Sequence, residues 1–152
     1  MNTLQVGDNV PLFTTVDQDE NSFISTDLKG KKSILFFYPR ANTPGCTAEA
    51  CNLRDNYSLL KEKGYQLFVV CADNPKKQKN FQSKYELCFT LLADEDKSVI
   101  NAFGVWGPKK FKGKEYEGIH RTTFLIDENG VIEKVFSKVK TKDHAAQILE
   151  EF

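Results

Sequence analysis

Ser33-Ile34-Leu35-Phe36-Phe37-Tyr38-Pro39 is a continuous apolar run closed by a proline. It reads as a β-strand covered on both faces, because a strand with one wet face would alternate apolar and polar residues. A second run of the same kind, Gln66-Leu67-Phe68-Val69-Val70-Cys71, follows after one helical stretch. That stretch, residues 44–63, carries Ala50, Leu53, Tyr57 and Leu60 on one stripe, with room for Cys46 on the same side, and Gly64 closes it. Strand, helix and strand in this order imply a crossover onto a parallel pair.

Upstream, residues 13–16 and 22–24 read as short strands around the polar turn Asp17-Gln18-Asp19-Glu20-Asn21. Downstream, a helix over residues 75–85 begins at Pro75, a residue suited to a first helical turn. A short strand over 89–92 and a short helix over 97–103 come next. Strands over 122–126 and 131–136 then flank Asp127-Glu128-Asn129-Gly130, whose Asn-Gly pair signals a hairpin, and residues 144–152 make a final helix. This order predicts an α/β chain of thioredoxin-like fold. It has a central mixed sheet, flanking helices and an N-terminal β-hairpin extension, all within one domain over residues 1–152.

The 152 residues carry 21 Lys+Arg and 21 Asp+Glu. A net charge of zero argues against non-specific nucleic-acid binding, which needs cations to neutralise phosphates. The longest apolar runs fall far short of the ~20 residues a membrane helix requires. Residues 1–8 lack the basic and apolar stretches of a secretory leader, so a cytoplasmic location is expected. Four cysteines are too few for a disulfide scaffold of the small secreted type. In a reducing compartment they are reactive, metal-bound or simply buried.

The segment Pro39-Arg40-Ala41-Asn42-Thr43-Pro44-Gly45-Cys46-Thr47-Ala48-Glu49-Ala50-Cys51 is the most informative about chemistry. Thr43 before Pro44 reads as an N-cap followed by the first residue of a helix. Cys46 then falls in the first turn, where unpaired N–H groups and the positive end of the dipole favour a thiolate. Gly45 removes a side chain beside the sulfur and opens it to a small electrophile. On an ideal helix Cys46 and Cys51 would have Cα atoms about 8.6 Å apart and ~140° around the axis. A disulfide needs ~7 Å or less, so these two can bond only if the first turns unwind. A zinc site is the competing reading, but Cys-x4-Cys is looser than the usual pair and no second pair follows. No metal is expected.

These residues resemble a known family. Pro39-x3-Thr43-x2-Cys46 is similar to the active-site motif of the peroxiredoxins, and Gly45-Cys46-Thr47-x-Glu49-x-Cys51 followed by Arg54-Asp55 resembles their Q-type subfamily, the bacterioferritin comigratory proteins. The likeness continues in Gly104-Val105-Trp106, in Gly113-Lys114-x-Tyr116-x-Gly118-Ile119 and in Arg121-x-Thr123-Phe124-Leu125-Ile126-Asp127. It implies a peroxidase that reduces hydrogen peroxide and organic hydroperoxides without metal, haem, flavin or nicotinamide cofactor. It also implies catalytic roles for Cys46, Thr43, Pro39 and Arg121. In that reading Arg121 stabilises both the thiolate and the departing oxygen, Thr43 holds the peroxide, and Pro39 shields the pocket. Cys51 would condense with a Cys46 sulfenic acid to an intramolecular disulfide, and a thioredoxin-type dithiol would restore both thiols. A resolving cysteine in the same chain removes the need for a partner subunit, so a monomer is expected.

Other residues read more plainly. Glu49 either orients an arginine or is a solvated partner of the helix dipole. Cys71 reads as a small core residue, and Cys88 stands where relatives are expected to carry proline. His120 reads as a flank of Arg121, His144 as surface, and Trp106 as either a neighbour of the reactive loop or ordinary core. Lys109-Lys110-Phe111-Lys112 reads as a solvated face. Two rival functions stand beside the peroxidase: a general thiol–disulfide oxidoreductase, although the chain lacks Cys-x-x-Cys, and a redox-sensing module.

Overall fold

A computed structural model describes residues 2–41 and 43–150, with the backbone alone at Phe111. The chain runs through β1 (Thr14–Asp17), β2 (Ser22–Ile24), a 3-10 turn, β3 (Lys32–Phe37), α1 (Pro44–Asp55) and α2 (Tyr57–Glu62). It continues through β4 (Tyr65–Cys71), α3 (Pro75–Lys84), β5 (Thr90–Ala93), α4 (Ser98–Phe103), β6 (Trp106–Phe111) and β7 (Lys114–Ile119). It ends with β8 (Thr122–Ile126), β9 (Ile132–Phe136) and α5 (His144–Leu149).

The two apolar runs are neighbours, as their composition requires. β3 pairs in parallel with β4, Ile34 opposite Leu67 and Phe37 opposite Val70, and both strands are buried almost throughout. β5 adds a second parallel pairing on β4, while β8 runs antiparallel on the other side of β3. The seven-stranded order is β2-β1-β5-β4-β3-β8-β9, so the N-terminal hairpin extends one edge through the β1–β5 pairing. The rings of Phe37, Phe103 and Phe124 meet at centroid distances of 5.0–5.8 Å and tie α4 to β3 and β8.

Three features differ from the expectations. The helix expected over 44–63 breaks at Asn56, whose side-chain amide donates back to the Asn52 carbonyl at 2.8 Å. Leu60 stays on the buried side across the break, so the apolar stripe alone gave no sign of it. The Lys109–Lys112 run is half of a hairpin, with Phe111 opposite Lys114 and both turn residues, Lys112 and Gly113, at positive φ. A lysine in place of Asn or Asp hid that turn. Finally, His144 is fully buried, not on the surface, because α5 docks its first turn against α1: Asn52 Oδ1 accepts the Ala145 N–H at 2.7 Å. Residues 151 and 152 of the expected last helix lie outside the described residues.

Candidate active site

The reactive loop leaves the sheet where β3 ends. Tyr38 is still buried and its N–H donates to the Val70 carbonyl at 3.0 Å. Half-buried Pro39 then turns the chain out of the sheet, and the Ala41 N–H donates to Asp73 Oδ2 at 2.8 Å, pinning the loop to the end of β4. Thr43 holds the extended backbone of an N-cap, φ −85° and ψ 153°, directly before Pro44. Its hydroxyl does not cap the helix, contrary to expectation. It donates to the Arg40 carbonyl at 2.8 Å, which commits its proton and leaves Oγ1 available as an acceptor.

Cys46 is the third residue of α1 and is 1% exposed. The first intrahelical hydrogen bond runs from the Thr47 N–H to the Thr43 carbonyl at 2.8 Å, so the Gly45 and Cys46 amides precede the ladder. Arg121 comes to the same place from the head of β8, the strand beside β3. β8 pairs with β3 with Thr122 opposite Phe37, which puts the preceding residue at the open end beside the loop. Arg121 Nη2 donates to Cys46 Sγ at 3.4 Å and Nη1 donates to Glu49 Oε1 at 2.6 Å. Gly45 makes this possible: a Cβ there would stand 3.2 Å from Arg121 Nη2.

Glu49 is fully buried and paired with Arg121, so it is not a solvated partner of the helix dipole. Burial pushes its carboxyl up to about 7 in spite of the neighbouring guanidinium. Its second oxygen, Oε2, has no hydrogen-bond partner among the described residues and lies 3.8 Å from His144 Nε2. Burial in turn pulls His144 down to about 4. Lys109, read from sequence as solvated, is half-buried and donates to the Ile119 carbonyl at 2.8 Å. Burial lowers its affinity for a proton, the Arg121 charge acts in the same sense, and the Cys46 anion opposes both.

Cys51 lies half-buried five residues along the same unbroken helix, and all four cysteines are free thiols. Cys88 is exposed beyond α3, and Cys71 is buried at the end of β4, where burial pushes its thiol well up. His120 accepts the flanking place expected of it, a ring nitrogen 2.9 Å from the Pro108 carbonyl. Trp106 is half-buried under Lys97 Nζ, 5.0 Å from its ring centroid. Among the described residues no three His, Cys, Asp or Glu side chains cluster closely enough to hold a metal.

A cysteine in the first turn of a helix, bonded to an arginine at the head of the neighbouring strand, can be set against known proteins. The AhpC/TSA family profile matches residues 6–135. The chain belongs to this family and is a Bcp-type peroxiredoxin. It is 49% identical to a putative peroxiredoxin Bcp of Haemophilus influenzae over 99% of this chain and 97% of that one. It is 48% identical to peroxiredoxin Bcp of Escherichia coli over 98% and 96%. The fold superimposes on the bacterioferritin comigratory protein of Xanthomonas campestris with a TM-score of 0.86 at 28% identity, covering 95% and 96%. This peroxiredoxin has a thioredoxin-like fold and is a thiol-dependent peroxidase, an enzyme that takes a peroxide substrate and a thiol reductant. No helix is long and apolar enough to cross a membrane among the described residues.

Two residues of the site escaped the sequence reading. His144 had a usable signal, since Ala145 and Ile148 beside it make an i, i+1, i+4 buried stripe on α5. Lys109 had none, because its position depends on the hairpin that the turn residues concealed.

Proposed function

We propose that Cys46 is the peroxidatic nucleophile and that one domain carries the whole cycle. The thiolate attacks the nearer peroxide oxygen, an S–O bond forms, and the O–O bond breaks. The electron pair leaves on the distal oxygen, which takes a proton as water or alcohol. The observation that carries this reading is the Arg121 fork, one arm on Cys46 Sγ and the other on Glu49. A guanidinium so held faces the charge that develops in the transition state without having to reorganise. Thr43 Oγ1, its own proton committed to Arg40, accepts the hydrogen of the bound hydroperoxide. Pro39 shields the loop, and Gly45 admits Arg121 to the sulfur.

Cys51 then resolves the sulfenic acid. Its sulfur attacks Cys46, water leaves, and an intramolecular disulfide forms as the first turns of α1 unwind. A thioredoxin-type dithiol reduces that disulfide by exchange. Internal resolution suits a monomer, and the cytoplasm is a compartment that supplies such a dithiol. The substrates are hydrogen peroxide and organic hydroperoxides; the Xanthomonas relative is described as having alkyl peroxide reduction activity.

The test is mass mapping after one equivalent of peroxide, with and without alkylation. It should find Cys46 joined to Cys51. Cys46→Ser should abolish turnover. Cys51→Ser should consume the first equivalent, accumulate sulfenic and then sulfinic acid, and lose recycling by thioredoxin. Cys88→Ser and Cys71→Ser should cycle. A Cys46–Cys88 disulfide in the unaltered protein, with Cys51→Ser still cycling, would reassign the resolving residue.

A further inference from the structure

The catalytic cycle makes no use of Glu49 Oε2, a fully buried oxygen without a hydrogen-bond partner among the described residues, or of His144, the buried ring 3.8 Å from it. The hydrogen bonds around His144 fix where its hydrogen sits. Gln147 Nε2 donates to the Lys138 carbonyl at 3.0 Å, and Gln147 Oε1 accepts the Lys140 N–H at 2.7 Å. The amide is thereby oriented with its oxygen toward His144 Nδ1, 2.9 Å away, so Nδ1 carries the hydrogen. With the ring neutral, Nε2 is bare and accepts the Thr123 hydroxyl at 2.8 Å. That nitrogen, its one lone pair engaged by Thr123, carries no hydrogen to offer Glu49 Oε2 3.8 Å away, so an ionised carboxylate would find no donor on that side.

The charges around this couple are few. From α1 itself comes Cys46, from the start of β8 Arg121, and from α5 only His144. Phe136 of β9 covers His144 with an apolar ring, centroids 5.6 Å apart. Beyond Arg121 lie Lys109 of β6 and, on the sulfur side, the Tyr38 hydroxyl. One guanidinium therefore serves two acids, the Cys46 thiol and the Glu49 carboxyl. If Glu49 ionises, the thiolate has a competitor for Arg121.

We propose that His144 is a positioning residue of the peroxidase. Held in the Nδ1–H form, its ring offers no N–H to Glu49 Oε2, so the buried carboxyl keeps its proton, grips Arg121 as a neutral acid and leaves the guanidinium charge to the Cys46 thiolate. This deepens the function proposed above and rests on its assignment of Cys46 and Arg121. Burial of Glu49 works in the same direction, and the arrangement holds from acid up to about neutral pH.

His144→Gln tests it, because glutamine can present an N–H to Oε2 where histidine presents none, and so stabilises the carboxylate. The rate of Cys46 alkylation by iodoacetamide and the second-order rate with hydrogen peroxide should both fall about tenfold just below neutral pH, with the pH profile moved to higher pH. Adding Glu49→Gln in that background should recover most of the loss, since an amide cannot ionise. A merely structural role for either residue predicts two losses that accumulate. An unmoved profile in His144→Gln, or no recovery in the double variant, overturns the proposal. In the unaltered reduced protein, nitrogen-15 NMR should show His144 as the neutral Nδ1–H form. Infrared spectra should show a protonated carboxyl that disappears in Glu49→Gln. An Nε2–H ring, or an ionised Glu49 in mildly acidic solution, overturns it equally. Peroxidase activity surviving in Cys46→Ser would instead remove the underlying reading.

Discussion

Glu49 and His144 should oppose one another in the pH dependence of stability, and removing one should expose the other. The Glu49 carboxyl goes from an ordinary 4.5 to about 7 in the folded chain, so the native state binds its proton more tightly. Stability from this source is present below about pH 4.5 and is lost as pH rises through about 7. His144 goes from 6.5 to about 4, so the native state binds its proton less tightly. Stability from this source is present above about pH 6.5 and is lost as pH falls through about 4. Each difference spans about 2.5 pH units, or about 3 kcal/mol at ~1.36 kcal/mol per unit. Between about pH 4.5 and 6.5 the two slopes have opposite signs and nearly cancel.

Glu49→Gln deletes one slope and leaves the other. Relative to the unaltered protein, the variant should lose about 3 kcal/mol between about pH 7 and 4.5, equivalent to roughly 6–12 °C in Tm for a chain of this size. His144→Leu should do the reverse and lose about 3 kcal/mol relative to the unaltered protein as pH rises from about 4 to 6.5. The assay is urea unfolding of the reduced protein across this range, compared as a difference from wild type at each pH. A constant offset caused by imperfect packing drops out, because only the slope is read. Difference curves for Glu49→Gln that stay flat with pH would refute the reasoning.

Three further outcomes follow from the same geometry. Arg121→Ala should slow attack on peroxide by ~10²-fold or more and slow Cys46 alkylation near neutral pH, measured by stopped-flow and by iodoacetamide trapping. Gly45→Ala places a Cβ 3.2 Å from Arg121 Nη2, so the guanidinium must withdraw; the rate with peroxide should fall several-fold while the circular dichroism of the helices is retained. Oxidation to the Cys46–Cys51 disulfide should raise amide exchange across α1, and also in α5, because Asn52 of α1 holds the Ala145 N–H at 2.7 Å; reduction should restore both.

The parallel core was legible because β3 and β4 carry the unbroken apolar runs 34–37 and 67–71, and little but a doubly covered strand accommodates such runs. The β8–β9 hairpin was legible through Asn129-Gly130. The β6–β7 hairpin was not, since its turn uses Lys112 at a positive φ and its strands are mostly exposed. The break at Asn56 was hidden by an apolar stripe that stays in register across it. At the site, Cys46 could be read from its local surroundings, because a helix start, a cap position and a glycine are neighbours in sequence. Arg121 could not: it stands 75 residues from Cys46 and meets it only through the β3–β8 register, so the motif likeness carried that assignment.

Glu49 lies between these cases, and its position explains how far local reasoning can go. Cys46, Glu49, Ala50 and Leu53 are the buried residues of α1, spaced i, i+3, i+4 and i+7. That is the period of a core-facing stripe, so a carboxyl within it has to be neutralised, paired, or both. The spacing thus demands a partner without naming one. Arg121 meets one oxygen, and the sequence offered a motif to point at it. The other oxygen needs a group from α5, 95 residues further on, which no motif announced. A short helix docked through Asn52 and Ala145 brings His144 there as a neutral ring that turns no N–H toward Oε2. The buried acid then does not compete as an anion for the cation that the reactive sulfur requires. On this proposal the charge balance at Cys46 is set through Glu49, by a strand whose arginine supplies the cation and by a terminal helix whose histidine keeps that cation free.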